Sequence, residues 1–214
     1  LIGAVPSLIA LGWFWGPLRT LSLGVGAASL MAISLYLRQI DAFGADLAAA
    51  EQVFLLKYML SSQSAILWMS VLVFMSTIAY WAGLLSGSDA AQRIGSWLAW
   101  GSVVMALIGT FVRWFESHQI GPDIGHIPVS NLYEVFVMFV WMTTLIYLYY
   151  ERHYATRSLG GFVMLIVSAA VGFLLWYTVS RGAHEIQPLV PALQSWWMKI
   201  HVPANFVGYG TFAL

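Results

Sequence analysis

Apolar positions in this chain come in long, nearly unbroken blocks, and polar positions collect in the stretches between them. Residues 18–37, 66–85, 94–115, 132–150 and 159–179 are each about 20 residues long with almost no charge, which is the length and character of a helix that crosses a bilayer. Residues 1–15 are apolar as well and read as the remainder of a first span, joined to the next by a tight Gly16-Pro17-Leu18-Arg19 turn. Pro203 breaks one run and opens another over 203–214. The pattern predicts an all-α fold: a polytopic helical bundle in the membrane, with about six complete spans and a truncated seventh, forming a single transmembrane domain over 1–214. The chain begins inside an apolar run without Met and stops roughly a dozen residues into a span that needs about 20, so it reads as a fragment of a longer protein.

Alternating crossings divide the connections between two sides. One side holds 16–19, 86–93 and 150–158; the other holds 38–62, 116–131 and 180–202. Basic residues split four to five and do not orient the chain by number. The first side has short loops with Arg19, Arg93, Arg152 and Arg157 tight against span ends, the pattern of a cytoplasmic side. The second has the longer loops and seven of the nine acids, and is expected outside. Residues 47–59 carry an apolar face suited to the interface. In 189–201, apolar positions 189/190, 193, 196/197 and 200 mark one helical face, and Pro191 suits a first turn, so a Trp-rich helix over 191–200 is expected at the external interface.

Composition supports a membrane protein and excludes several function classes. Hydrophobic residues make up 60% of the chain and charged residues 8%, against about 25% charged in soluble domains. Nine basic and nine acidic residues cancel, which argues against nucleic acid as a partner. There is no cysteine, so thiolate ligands and disulfides are excluded. No metal-protease, Walker or serine-nucleophile motif is present. No acid lies well inside a span, which argues against ion-coupled transport.

Candidate chemistry gathers on the expected external side. His201 stands where the Trp196-Trp197 helix meets the last apolar run; it is either an imidazole ligand held at the membrane surface or an interfacial residue that snorkels. Arg113 and Glu134 lie at the membrane edge, where charge is costly and usually functional. Ser130 and Asn131 are N-cap candidates for the helix that starts near 132, and capping alone accounts for Ser130 and Glu134 but not for Arg113. His118, His126 and His184 read as solvated loop histidines, and His153 as part of a basic flank.

The run Gly125-His126-Ile127-Pro128-Val129-Ser130-Asn131-Leu132-Tyr133-Glu134, with Arg113-Trp114 before it and Leu189-Val190-Pro191-Ala192-Leu193-Gln194-Ser195-Trp196-Trp197-Met198-Lys199-Ile200-His201-Val202 after it, resembles the CcsA (ResC) family of System II cytochrome c biogenesis. Residues 51–67 also look like proteobacterial members. The resemblance covers essentially the whole chain. It implies haem handling in the bacterial inner membrane and delivery to apocytochrome CXXCH motifs at the external (periplasmic) face. It further implies a ResB (CcsB)-type partner, the two together forming the haem-attachment machinery, a cytochrome c synthase. His201 matches the first of two external histidines that ligate haem iron around a Trp-rich WWD motif. That motif and the second ligand are expected beyond 214. By the same resemblance Trp196, Trp197, Arg113, His126, Asn131 and Glu134 are candidate haem-site residues, with Arg113 or Arg181 as partner for a propionate. The two readings from other classes are a small-molecule transporter subunit and a cofactor-free assembly factor. A Soret band in the purified protein separates haem handling from both.

Overall fold

The computed structural model describes residues 15–41, 44–45, 47–50, 52–120, 125–187 and 197–212. Among them, five helices are long and apolar enough to cross a membrane: α1 (Gly16–Leu37), α3 (Ser62–Ser86), α4 (Asp89–Ile120), α5 (Leu132–Tyr154) and α6 (Gly160–Arg181). A short α2 (Leu47–Ala50) and a π-helical turn (Leu56–Leu60) lie between α1 and α3, and α7 (Met198–Phe212) follows α6. The chain is an all-helical polytopic membrane bundle. The expected span over 1–15 falls almost wholly outside the described residues.

Helices α3 to α6 form a four-helix core. In it α3 packs on α4 and α6, while α5 packs on α4 and α6; α1 lies outside against α4, and α7 lies outside against α5. Apolar residues cover these helices on all sides, so hydrophobicity by itself does not say which face turns inward. Small residues at the contacts do. A Cβ on Gly109 would stand 2.9 Å from the Ile66 side chain and 3.3 Å from the Ser62 carbonyl, so α3 and α4 approach closely only because that atom is missing. Gly160 serves the start of α6 in the same way, with Tyr80 of α3 and Tyr147 of α5 closing over its Cα.

Caps set the boundaries. The Ser61 side chain accepts a bond from the Ser64 amide at the start of α3, and left-handed Gly87 (φ 66°) ends that helix. Asn131 caps α5 by accepting the Glu134 amide at 2.8 Å.

Several expectations need correction. The connection expected over 86–93 shrinks to Gly87-Ser88, because α4 starts at Asp89, an acid well placed in a first turn. At its other end α4 runs to Ile120, so Glu116, Ser117 and His118 are helical rather than loop residues. The expected connection 38–62 carries a two-stranded antiparallel ribbon, β1 (Ile40–Asp41) with β2 (Gly44–Ala45), outside the spans. Within it Leu56 and Leu60 are buried against the bundle while Phe54, Tyr58 and Met59 face outward. Pro203 does not break the chain: α7 continues through it. The proline sits in the second turn, where it forfeits one intrahelical bond, to the Lys199 carbonyl, and leaves the later ladder intact. Of the helix expected over 191–200, residues 191–196 lie outside the described residues. From Trp197 on, the carbonyl of Trp197 accepts the Ile200 and His201 amides and the helix proceeds from Met198.

Helix α7 runs parallel to α5. Phe206 meets Phe139, and Gly210 abuts Thr143; both pairs are 67 residues apart in sequence (206 from 139, 210 from 143). The same offset brings His201 level with Glu134, at the end of the bundle that also carries the 182–187 segment.

Gly160→Val drives two methyl groups into Tyr80 and Tyr147 and is expected to destabilise the protein by about 1–3 kcal/mol. Gly172→Ala, which meets nothing within 4 Å, is expected to be neutral. Thermal-unfolding midpoints in detergent check both; an unchanged midpoint for Gly160→Val contradicts the close packing at α6.

Candidate functional site

Glu134, in the first turn of α5, is the centre of a buried polar cluster. Its Oε1 accepts Arg113 Nε at 2.8 Å, and both side chains are 3% exposed. Its Oε2 accepts the Ser130 amide at 2.9 Å and the Ser130 hydroxyl at 2.6 Å. Asn131 caps the Glu134 amide while Glu134 reaches back to the amide of Ser130, so the local turn is closed from both directions. Capping and ion pairing are therefore one structure here, and Arg113 belongs to it.

The Ser130 hydroxyl has one proton, and Glu134 takes it. His126 Nε2, 2.6 Å from the same oxygen, must then be the donor. A continuous line of donors runs from His126 through Ser130 to Glu134, with Nε2 3.9 Å from the nearer carboxylate oxygen. The His126 side chain is 8% exposed, which corrects the expectation of a solvated histidine. Folding of 125–131 back onto the start of α5 covers it.

Arg113 extends the cluster across the bundle. Its Nη1 donates to the His184 carbonyl at 2.7 Å, its Nη2 to the Glu185 carbonyl at 3.4 Å, and its guanidinium lies 5.2 Å from the Tyr133 ring centroid. The segments on either side of α5 and α6 thus meet on one arginine. His184 is half-buried rather than solvated, with a buried Nδ1 that has no hydrogen-bond partner among the described residues. His118 is exposed, as expected, and its Nδ1 lies 2.8 Å from the Trp114 carbonyl oxygen.

His201 and Trp197 are not part of this cluster. Both are exposed, Trp197 just before α7 and His201 in its first turn, four residues apart and so on one side of the helix. His201 Nε2 accepts from the Asn205 amide at 2.9 Å. No hydrogen bond or ion pair joins His201 to Arg113 or Glu134 among the described residues. Trp196 lies outside the described residues. Of the sequence candidates the structure brings together Arg113, His126, Asn131 and Glu134, and leaves His201 with Trp197 one helix away at the same level.

Two further buried carboxylates were not singled out from the sequence. Glu116 receives Tyr36 Oη at 2.6 Å, the Ser62 amide at 3.1 Å and Ser62 Oγ at 2.5 Å. It sits at the N-terminus of α3, where backbone amides favour an anion. Glu151 receives Tyr80 Oη at 2.5 Å, Tyr147 Oη at 2.7 Å and Ser96 Oγ at 2.7 Å, at the opposite end of the bundle. Arg157 Nε stands 3.2 Å from Glu151 but is not aimed for a hydrogen bond. Both acids lie in the last turns of helices whose flanks are apolar. The Tyr147–Glu151 spacing of four was the one local signal for the second.

The family described as Cytochrome C assembly protein matches residues 129–214, which includes Ser130, Asn131, Glu134 and His201. The chain is 31% identical over 148 residues to the cytochrome c biogenesis protein CcsA of Chlorella vulgaris, covering 67% of this chain and 44% of that protein. To the CcsA of Synechococcus elongatus it is 32% identical over 136 residues, covering 62% and 38%. The chain belongs to the CcsA family. A third member, from Synechocystis, is 29% identical over 148 residues, covering 66% and 40%. The chain spans about two fifths of the length of these relatives. No solved structure matches it.

Removing one partner of the buried pair, by Arg113→Met or Glu134→Leu, is expected to cost about 3–5 kcal/mol, because the remaining charge is stranded. The double variant should lose clearly less than the two single losses combined. A thermal-unfolding cycle over the four proteins measures this; simple additivity means the two charges do not depend on each other.

Proposed function

We propose that the chain serves cytochrome c maturation by holding haem at the end of the bundle that carries Glu134. On this reading His201 is an axial ligand to the iron, and that end faces the external side of a bacterial inner membrane. The observation that carries the reading is the exposed imidazole of His201, on one helical face with the exposed indole of Trp197, level with the Arg113–Glu134 cluster. The fit is chemical: a neutral imidazole with an apolar aromatic surface beside it suits the iron and the flat face of the macrocycle. Asn205 donates to His201 Nε2, which keeps the proton on Nδ1. Iron binding at Nε2 replaces that single hydrogen bond, a loss on the order of 1 kcal/mol.

The Trp197 indole extends the apolar surface, and Trp196, outside the described residues, is the sequence's other candidate for it. Arg113 is buried and already ion-paired, so the exposed Arg181 at the end of α6 is the partner for a propionate. Arg113, His126, Asn131 and Glu134 hold the connections around α5 in place and position the site rather than touch the macrocycle. Haem bound there supplies the vinyl groups from which thioether bonds to an apocytochrome CXXCH motif form. A ResB (CcsB)-type membrane protein is the partner in that transfer.

In the full-length protein, His201→Ala is expected to abolish most of the Soret absorption and to block cytochrome c maturation. Added imidazole should restore part of both by entering the vacated coordination position. His153→Ala, at the opposite end and stacked on Tyr149, should match the parent. A normal haem spectrum together with parental cytochrome c levels in His201→Ala would show that His201 is only an interfacial side chain.

A further inference from the structure

His184 stands in a wall shared by two cavities. On one side is a cleft of 290 Å³ between the start of α3 and the end of α6, walled by Ile66, Leu67, Leu174, Leu175 and Tyr133, with the Gln63 amide at its rim. On the other is a polar cavity of 200 Å³ that contains Glu116 and Arg113. The first opens between lipid-facing residues: Leu67 is 58% exposed. The imidazole lines both cavities, while its Nδ1 is enclosed in the wall and has no hydrogen-bond partner among the described residues. The segment bearing it is fixed, because Arg113 holds the His184 backbone carbonyl. A buried polar atom without a partner is costly, so the ring gains by turning that nitrogen toward a partner in either cavity.

We propose that this cleft is a binding site for a lipid-soluble quinone or its hydroquinone, with His184 as the hydrogen-bond partner of a ring oxygen. Three features select that class. The walls are branched aliphatic and aromatic and the mouth faces lipid, which suits a flat ring carrying an apolar tail. The volume is at the lower end of the roughly 300–1,000 Å³ usual for small-molecule pockets, enough for a ring head while its tail stays in the bilayer. Among the described residues no lysine or arginine lines the cleft, so they offer a phospholipid headgroup no cation. An imidazole nitrogen, by contrast, serves both redox forms: protonated it donates to a quinone carbonyl, and unprotonated it accepts from a hydroquinone hydroxyl. The cavity behind His184, with Glu116 and Arg113 in its lining, gives that imidazole a polar side away from the ligand.

The test uses the purified full-length protein in nanodiscs of phosphatidylglycerol and phosphatidylethanolamine, a photoactivatable azidoquinone as probe and decylubiquinone as competitor. Label should concentrate in peptides covering 62–67 and 174–184 and be removed by competitor. His184→Leu should weaken competition at least tenfold, while His184→Gln, whose amide both donates and accepts, should retain most of it. Leu67→Trp fills the mouth from an exposed position without touching the core and should also abolish competed labelling; it serves where His184→Leu does not fold. Label spread over the lipid-facing spans without competition marks an ordinary lipid crevice and overturns the proposal. So does parental competition in either His184→Leu or Leu67→Trp. All of these readouts are independent of haem content.

Discussion

Arg113 and Glu134 form an ion pair where neither charge can remain alone. Both side chains are 3% exposed, and they come from helices that share no loop residues with the segment they also hold. A lone buried charge costs several kcal/mol, so the pair forces α4, α5 and the residues after α6 into one arrangement. From that constraint the rest of this end follows. Glu134 keeps its second oxygen for Ser130, Ser130 is left to accept from His126, and Arg113 spends its remaining reach on the carbonyls of His184 and Glu185.

The bundle repeats this device with Glu116 and Glu151. In lipid, apolar side chains gain little by exchanging tails for one another, so helix association relies on close packing and polar contacts. Glu116 joins α1, α3 and α4 through Tyr36 and Ser62. Glu151 joins α3, α4 and α5 through Tyr80 and Ser96, with Tyr147 from its own helix. Each acid lies near a helix end, where a bundle can reach it with hydroxyls. Close packing accompanies both acids: Gly109 beside Ser62 at the Glu116 end, and Gly160 beside Tyr80 and Tyr147 at the Glu151 end, remove the atoms that would hold the helices apart.

Function and packing separate cleanly at the Glu134 end. The cluster around Glu134 is saturated: its donors and acceptors are directed at each other, and it offers shape rather than reactivity. The exposed side chains at this end lie beside the cluster rather than in it. His201 on the outer helix and Trp197 just before it are exposed, and His184 lines two cavities from a segment pinned through its backbone.

The helical bundle and the order of the five described spans were legible in the sequence, because a span of about 20 apolar residues has one stable form in lipid. So was the grouping of His126, Glu134, His184 and His201 at one end, since alternating crossings leave no other choice. Boundaries were less legible: α4 outruns its apolar block at both ends, and Pro203 sits early enough in α7 to be tolerated. Which face of each helix turns inward was not legible at all, because uniform hydrophobicity carries no period to read. Tyr36, Ser62 and Glu116 are 80 and 54 residues from one another in the pairings that matter, and nothing local marks them. Arg113 showed itself as an anomaly at a membrane edge, but its partner was decided only by tertiary packing. A buried charge requires compensation from somewhere, and the chain alone does not say from where.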